Sequence, residues 1–506
     1  MSEKKIEAKV DNGPRFGVRH VQTLLLFLST TVAYMGRLNV SVAVVAMTNA
    51  ASTNPNFQEF DWTEKQKSYI ISCFYWGYVI TQLPGGYLSR RFGTKIVMGI
   101  SLFGSALCSL LTPFLVPWGS WKVFCVIRII QGLCQAAIFP AIHEHIAKWS
   151  PPKERNVIGA LAYAGVDCGT VLAMLVSGLI ASSPIGWPGI SYISAGICFA
   201  WCLFWWIFGS NDPPSARFIT KAECEYIETS MKRDEDFHKN KIPVPWLAMF
   251  TSVPFWALLL VRCSESWGVS TIQSQIPSYM NGVLNMNIRS NAFFSALPYI
   301  ARWIMGYVYM YFGNMSVAKG WLSLTAMRKI ANTIALWLPA LLMVGIGFLD
   351  DSNKALAIIL MTIDVGFNGA ATVGCILSTI DLSPNHAGVV MGITNPVANI
   401  IPLITPLVVG VVVTDVHDRS EWQTIFIISA TIFFFGNLIF IIFGSAEVQP
   451  WDAPDFLRKD NVEEPVKGTF NEIFVADDDK AKIDGWAVVE KTDDSRKKNV
   501  RETKTQ

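Results

Sequence analysis

The sequence predicts an all-α integral-membrane protein of twelve transmembrane helices, built as two six-helix bundles with both termini cytoplasmic. Three observations lead there. Apolar residues come in runs of roughly 20, the length that crosses a bilayer core as a helix. Only 16% of the 506 residues are charged against 51% hydrophobic, and mean hydropathy is +0.36; a soluble domain is about a quarter charged. Lys and Arg collect on one side of the alternating runs, as the positive-inside rule requires.

Residues 1–20 read as a polar cytoplasmic tail carrying Lys4, Lys5, Lys9, Arg15 and Arg19. The apolar stretch behind it is too long for a signal-peptide core. Spans are expected at 21–47, 67–89, 95–115, 122–147, 156–180 and 189–209, which make an N-terminal bundle over 21–209. A charged cytoplasmic loop follows at 210–251, with KAECEYIETSMKRDEDFHKNK at 221–241. The C-terminal bundle, 252–445, holds spans at 252–280, 291–312, 328–349, 354–379, 387–412 and 422–445. Residues 446–506 read as a cytoplasmic tail whose polar, charged composition predicts disorder.

With the N-terminus inside, the cytoplasmic side ahead of that tail holds 20 Lys and Arg and the opposite side six. An internal repeat supports two parallel halves: Gly86-Tyr87-x4-Phe92-Gly93 recurs as Gly306-Tyr307-x4-Phe312-Gly313, an offset of 220 residues. The net charge of +2 points to no nucleic acid. Nine of the ten cysteines fall in apolar runs and read as packing residues rather than a disulfide framework.

Charged groups inside spans are costly, from about 3 kcal/mol upward on insertion scales, and face a polar interior or a pathway. Here the cations are Arg37, Arg128, Arg262 and Arg302, joined by His143; the carboxylates are Asp167, Glu265 and Asp364. Arginines from both halves suit an anion, because guanidinium offers carboxylate or phosphate a fixed fork of donors. Arg262 and Glu265 lie three apart on one helix face and can neutralise each other. Arg302 and Asp364 read either as mutual partners or as substrate-tuning groups. His143-Glu144-His145 is not a metal pair, since residues i and i+2 point to different faces of a helix. The chain carries no phosphate-loop signature and no nucleophile–base set, so neither an ATP-driven pump nor an enzyme is expected. No cofactor is expected beyond a coupling ion.

The segment Pro84-Gly85-Gly86-Tyr87-Leu88-Ser89-Arg90-Arg91-Phe92-Gly93-Thr94-Lys95 resembles the loop signature of the major facilitator superfamily, G-x-L-a-D-r-x-G-r-k. Gly86 and Gly93 would let helices pack closely while Arg90 and Arg91 hold a cytoplasmic gate. Arg90 stands at the usual Asp position, and Asn314 at its equivalent in the second half, so the gate is expected to lack its acidic partner in both halves.

Further segments narrow the resemblance. They include Arg37-Leu38-Asn39-Val40-Ser41, Phe74-Tyr75-Trp76-Gly77-Tyr78, Arg128-Ile129-Ile130-Gln131-Gly132, His386-Ala387-Gly388-Val389-Val390-Met391-Gly392 and Phe443-Gly444-Ser445-Ala446-Glu447-Val448-Gln449-Pro450-Trp451. Together they look like the anion–cation symporters, the branch with type I phosphate transporters, sialin and the vesicular glutamate transporters. The opening Gly13-Pro14-Arg15-Phe16-Gly17 resembles insect phosphate-cotransporter-like members.

The resemblance implies a major facilitator fold that moves a small anion by alternating access, working as a monomer in a lipid bilayer. Inorganic phosphate with sodium is the leading pair, in the plasma membrane rather than a vesicular or lysosomal one. A proton- or voltage-driven carrier of organic anions is the alternative, and a non-transporting receptor or sensor is the reading from another class. Substrate contact falls on Arg37, and substrate or coupling roles on Arg128 and His143; Arg302 stands at a position usually uncharged in the family and joins the candidate substrate set on its own interior charge. Sialin-like and glutamate-carrying members have Glu where this chain has Gln135, and sialin also at Gln131. An amide cannot take and release a proton. Asp167, where the family more often has an amide, reads as a relocated carboxylate, a proton site or a sodium ligand with the sodium role preferred; Glu265 and Asp364 complete the candidate ion set.

Overall fold

The computed structural model describes residues 16–49, 56–151, 154–237, 244–349, 351–453 and 456. Among them the regular structure is helical. The first half comprises α1 (Val18–Thr48), α2 (Glu64–Phe92), α3 (Thr94–Gln135), α4 (Ile138–Trp149), α5 (Arg155–Ala181) and α6 (Gly186–Phe208). Two helices occupy the connection, α7 (Lys221–Phe237) and α8 (Trp246–Thr251). The second half comprises α9 (Val253–Gly282), α10 (Ile288–Ala318), α11 (Leu324–Ile346), α12 (Lys354–Asn368), α13 (Cys375–Asp381), α14 (Ala387–Val412) and α15 (Arg419–Phe443).

Eight helical stretches among the described residues are long and apolar enough to cross a membrane, which makes this a multi-pass membrane protein. One of them, Thr94–Trp149, has 56 residues. At about 1.5 Å per residue it would reach about 80 Å as a straight rod, far more than a bilayer core. It turns instead at Ser120, whose φ of 52° and ψ of −149° separate two legs. The helices α2, α9 and α10 fall outside the eight. They carry polar and charged side chains, Arg262, Glu265 and Arg302 among them, and these face the interior site described below.

Helix starts follow their caps. Thr63 accepts from the Gln66 backbone N–H while Gln66 reaches back, a capping box ahead of α2. Asn287, Ser323 and Asp418 cap α10, α11 and α15 with side-chain oxygens that accept from the backbone N–H groups of Ser290, Ala326 and Ser420.

The halves meet along α2–α14, α5–α10 and α1–α9. Ser72 Oγ donates to the Leu403 carbonyl at 2.6 Å, Asn399 Nδ2 to Gln82 Oε1 at 3.4 Å, and Asn49 Nδ2 to Asn281 Oδ1 at 3.2 Å. Within the first half, α2 crosses the second leg of α3 at van der Waals closeness. A Cβ on Gly77 would overlap the Ile129 carbonyl, and one on Gly132 the Phe74 carbonyl. Small residues let membrane helices approach in this way. Gly132→Val should therefore force the crossing apart and remove the monodisperse peak in size-exclusion chromatography; a normal peak would contradict the tight crossing.

Three expectations need correction. The connection 210–251 is not a plain loop, because α7 docks beneath the first half. Glu223, 1% exposed, accepts from the backbone N–H groups of Val18 (2.9 Å) and Arg19 (3.0 Å) and so caps α1. Arg19 pairs with Glu223 at 3.4 Å and Glu154 at 2.7 Å. Glu223, Tyr226 and Ile227 share one face of α7, and the last two pack on Trp149. That face is short within a charged sequence, which is why it reads as solvated.

The second correction concerns 446–506. Residues 446–453 are folded back: the Gln449 N–H donates to the Leu382 carbonyl at 3.1 Å, and Trp451 and Asp452 are buried. Asp452 accepts from Ser383 Oγ and the Asn385 N–H and lies 3.1 Å from His386 Nδ1. The expected tail beyond 456, like residues 1–15 of the N-terminal tail, lies outside the described residues.

The third concerns the repeat. Gly93, with φ of 85°, is the turn between α2 and α3. Its counterpart Gly313 lies inside α10, and the chain turns only at Gly320, φ 70°.

Candidate functional site

Arg37 lies within α1 and is buried. Its guanidinium stands 4.6–5.2 Å from four ring centroids, those of Tyr34, Phe74, Tyr75 and Tyr78. The positions explain the box. Tyr34 is one turn from Arg37 on α1, and Phe74, Tyr75 and Tyr78 share one side of α2. Each ring face attracts the cation electrostatically.

Arg128, on the second leg of α3, is fixed by hydrogen bonds from Nη1 to Gln131 Oε1 (2.7 Å) and from Nη2 to the Arg37 carbonyl (3.0 Å). Its guanidinium lies 4.8 Å from the Phe74 centroid, so one ring contacts both cations, and its buried Nε has no partner. Gln131 and Gln135 both donate to Ser105 Oγ, at 3.2 and 2.7 Å. Among the described residues neither Arg37 nor Arg128 has a carboxylate within 4 Å. A cleft lined by Arg37, Ser41, Tyr75 and Arg128 is closed from the second half by Gln273 and Ser274 of α9.

In the second half, Glu265 is shared by two arginines: Arg262 Nη1 at 3.5 Å and Arg302 Nη2 at 3.4 Å. Arg262 also donates to Asn395 Oδ1 at 3.3 Å. Arg302 therefore pairs with Glu265 and not with Asp364, which corrects that expectation; α9 presents Glu265 toward α10 whereas Asp364 faces the interior of the second half. Asp167 on α5 feels the charge of Arg302 without a contact inside 4 Å.

His143 is exposed on α4 and lies 3.0 Å from the Tyr163 hydroxyl. Tyr163 stacks on Phe139, which meets Tyr34 edge-on, so a chain of rings connects His143 to the Arg37 box. His145 points elsewhere, buried 3.0 Å from Thr94 Oγ1.

The gate residues Gly86, Arg90 and Arg91 lie on the last turns of α2 rather than in a loop, with Gly93 as the turn. Arg91 donates to the Tyr87 hydroxyl at 2.9 Å. Contrary to expectation, the first-half gate has an acidic partner. Arg90 Nε lies 3.6 Å from Glu144 Oε2 of α4, which also holds Lys148 at 3.7 Å. With Arg90 78% exposed, the pair contributes about 0–1 kcal/mol.

Sequence reasoning missed Tyr34 and the three box residues of α2 as a group; their i, i+1, i+4 spacing beside an interior arginine was the available signal. Asn395 and Gln273 had none, because each is brought in by packing between distant helices.

The Major Facilitator Superfamily profile matches residues 26–406. A candidate inorganic phosphate cotransporter of Drosophila melanogaster is 32% identical over 480 residues, 90% of either chain. Human sialin is 30% identical over 458 residues, 86% of this chain and 91% of that one. Vesicular glutamate transporter 3 of Danio rerio is 30% identical over 485 residues, 94% and 80% respectively. Among solved structures, a bacterial homologue of the human lysosomal transporter Spinster matches with TM-score 0.61 at 14% identity over 85% of this chain and 99% of that one. A D-xylose–proton symporter matches with TM-score 0.61 at 14% identity over 85% and 100%. Those two likenesses show the fold. The family and these relatives are transporters, not enzymes. With the helical bundles, the interior arginines and the sequence relatives in agreement, the chain belongs to the Major Facilitator Superfamily, as a membrane transporter of the kind that includes the phosphate-cotransporter-like proteins, sialin and the vesicular glutamate transporters.

Proposed function

We propose that this protein carries a small anion across the membrane by alternating access, with twelve passes, both termini cytoplasmic, and a cation gradient as the energy source. Inorganic phosphate with sodium in the plasma membrane is the leading assignment; the name of the Drosophila relative supports its phosphate part. The observation that carries the reading is the pair Arg37 and Arg128, buried at the seam between the halves with no carboxylate of the described residues within 4 Å. Two such cations are costly unless an anion joins them. The open Nε of Arg128 offers a donor to it. Arg302 would add a donor from the second half once its hold on Glu265 loosens, and His143 lines the approach.

The cation needs a carboxylate. Glu265 is already occupied by Arg262 and Arg302, which leaves Asp167 at the seam and Asp364 inside the second half. A second reading, an organic anion of the glutamate or sialate kind, is favoured by the four rings around Arg37, which offer apolar surface to a carbon skeleton.

Uptake of radiolabelled phosphate, glutamate and sialate into proteoliposomes, under separate sodium and proton gradients, tests both. Sodium-driven phosphate uptake is expected. Proton- or voltage-driven uptake of an organic anion would select the second reading. Absence of uptake under every gradient would point to a receptor or sensor.

A further inference from the structure

The second half contains a small cavity, walled mostly by apolar side chains, that the anion site does not use. Asp364 on α12 is 2% exposed, and its Oδ1 has no hydrogen-bond partner. It lines a cavity of about 30 Å³ with Thr271, Gln275 and Tyr279 of α9. Gln275 is 6% exposed, and its Nε2 is likewise without a partner. Two deeply buried side chains at one cavity thus have unmet hydrogen-bonding capacity, an acceptor on Asp364 and a donor on Gln275, where most such groups are paired.

The surroundings supply no compensating charge. From α9 the titratable neighbour is Tyr279; α11 and α15 line the cavity with Met343, Ile346, Trp422 and Phe426. From α10, Tyr299 packs in the same apolar cluster as Val365, and Arg302 is held on Glu265. No Arg, Lys or His among the described residues lies within 4 Å of the carboxylate. A lone carboxylate in an apolar interior is stable only when a positive charge neutralises it. The volume admits one water or one small ion.

We infer that this cavity is the coupling site for a single monovalent cation, proton or sodium, bound on Asp364; when the ion is sodium, the Thr271 hydroxyl and the Gln275 amide, rotated to present its oxygen in place of Nε2, complete the shell. The assignment rests on the transport reading for its coupling consequence and separates the cation step, inside the second half, from anion binding at Arg37 and Arg128. It places the coupling charge on Asp364 rather than on Asp167, which faces Arg302.

The test uses the full-length chain and two readouts. In detergent, thermal unfolding is followed against sodium in place of choline at fixed pH, and against pH in choline. The wild type should be stabilised by sodium if sodium is the ligand, or by acid if the proton is. Asp364→Asn, neutral and of the same shape, should respond to neither. Gln275→Leu should raise the sodium concentration needed by about tenfold, and it carries the test if Asp364→Asn does not fold. In proteoliposomes, Asp364→Asn should lose gradient-driven accumulation while keeping anion exchange within about twofold of wild type, as expected for separate sites. A wild type that carries no anion would end the transport reading and leave the unfolding arm to decide the cavity. A wild type indifferent to both cations, or an Asp364→Asn protein that responds and accumulates like wild type, would overturn the inference.

Discussion

Arg37→Ala should abolish gradient-driven uptake, lowering it at least ~100-fold, because the substitution removes a forked, charge-assisted donor whose hydrogen bonds are worth about 1.5–3 kcal/mol each. The protein should still run as a monodisperse species, since Tyr75 and Tyr78 remain packed on Phe74 and Tyr34 on Phe139. Arg37→Lys should recover little. An ammonium has no planar face for four rings and cannot make two parallel bonds to one anion. Initial uptake rates of the three proteins, normalised to reconstituted protein, check this; wild-type rates for Arg37→Ala would remove Arg37 from the anion site.

Glu223→Ala should give the largest loss of stability, about 3–5 kcal/mol for breaking a buried ion pair, toward the lower end because Glu154 still holds Arg19. The same carboxylate satisfies two backbone N–H groups at the start of α1, and those would be left without acceptors. A clear fall in thermal midpoint is expected in detergent. Replacing both partners together, Arg19→Met with Glu223→Leu, should cost less than Glu223→Ala alone, since the one charge left behind, on Glu154, is partly exposed rather than buried. An unchanged midpoint for Glu223→Ala would mean that α7 does not brace the first half.

Most of the long helices were legible because their apolar runs match bilayer thickness, and most expected limits fall within a few residues of theirs; α10 runs on to Ala318, and the run 354–379 divides into α12 and α13. Arg37 and Arg128 were legible for the opposite reason: charge amid apolar neighbours is costly enough to mark a site. What stayed hidden depends on contacts between distant segments. Glu144 completes the gate from α4, a helix whose own pattern says nothing of α2. Glu223 sits in a run of acids and bases, and only the docking of α7 tells it from its exposed neighbours. The second half shows the same limit. Arg302 and Asp364 are both interior, but their partnership is decided by which way α9 presents Glu265.

The fold-back of 446–453 bears on how this protein is handled. Asp452 ties the end of the last long helix to residues 383–386 and so closes the α13–α14 corner from outside. A reporter or affinity tag attached directly after Gly444 would delete that clasp and free His386 from its carboxylate. The same tag attached beyond residue 456 would leave it in place. Expression trials that truncate the polar C-terminal segment should therefore cut downstream of Phe456.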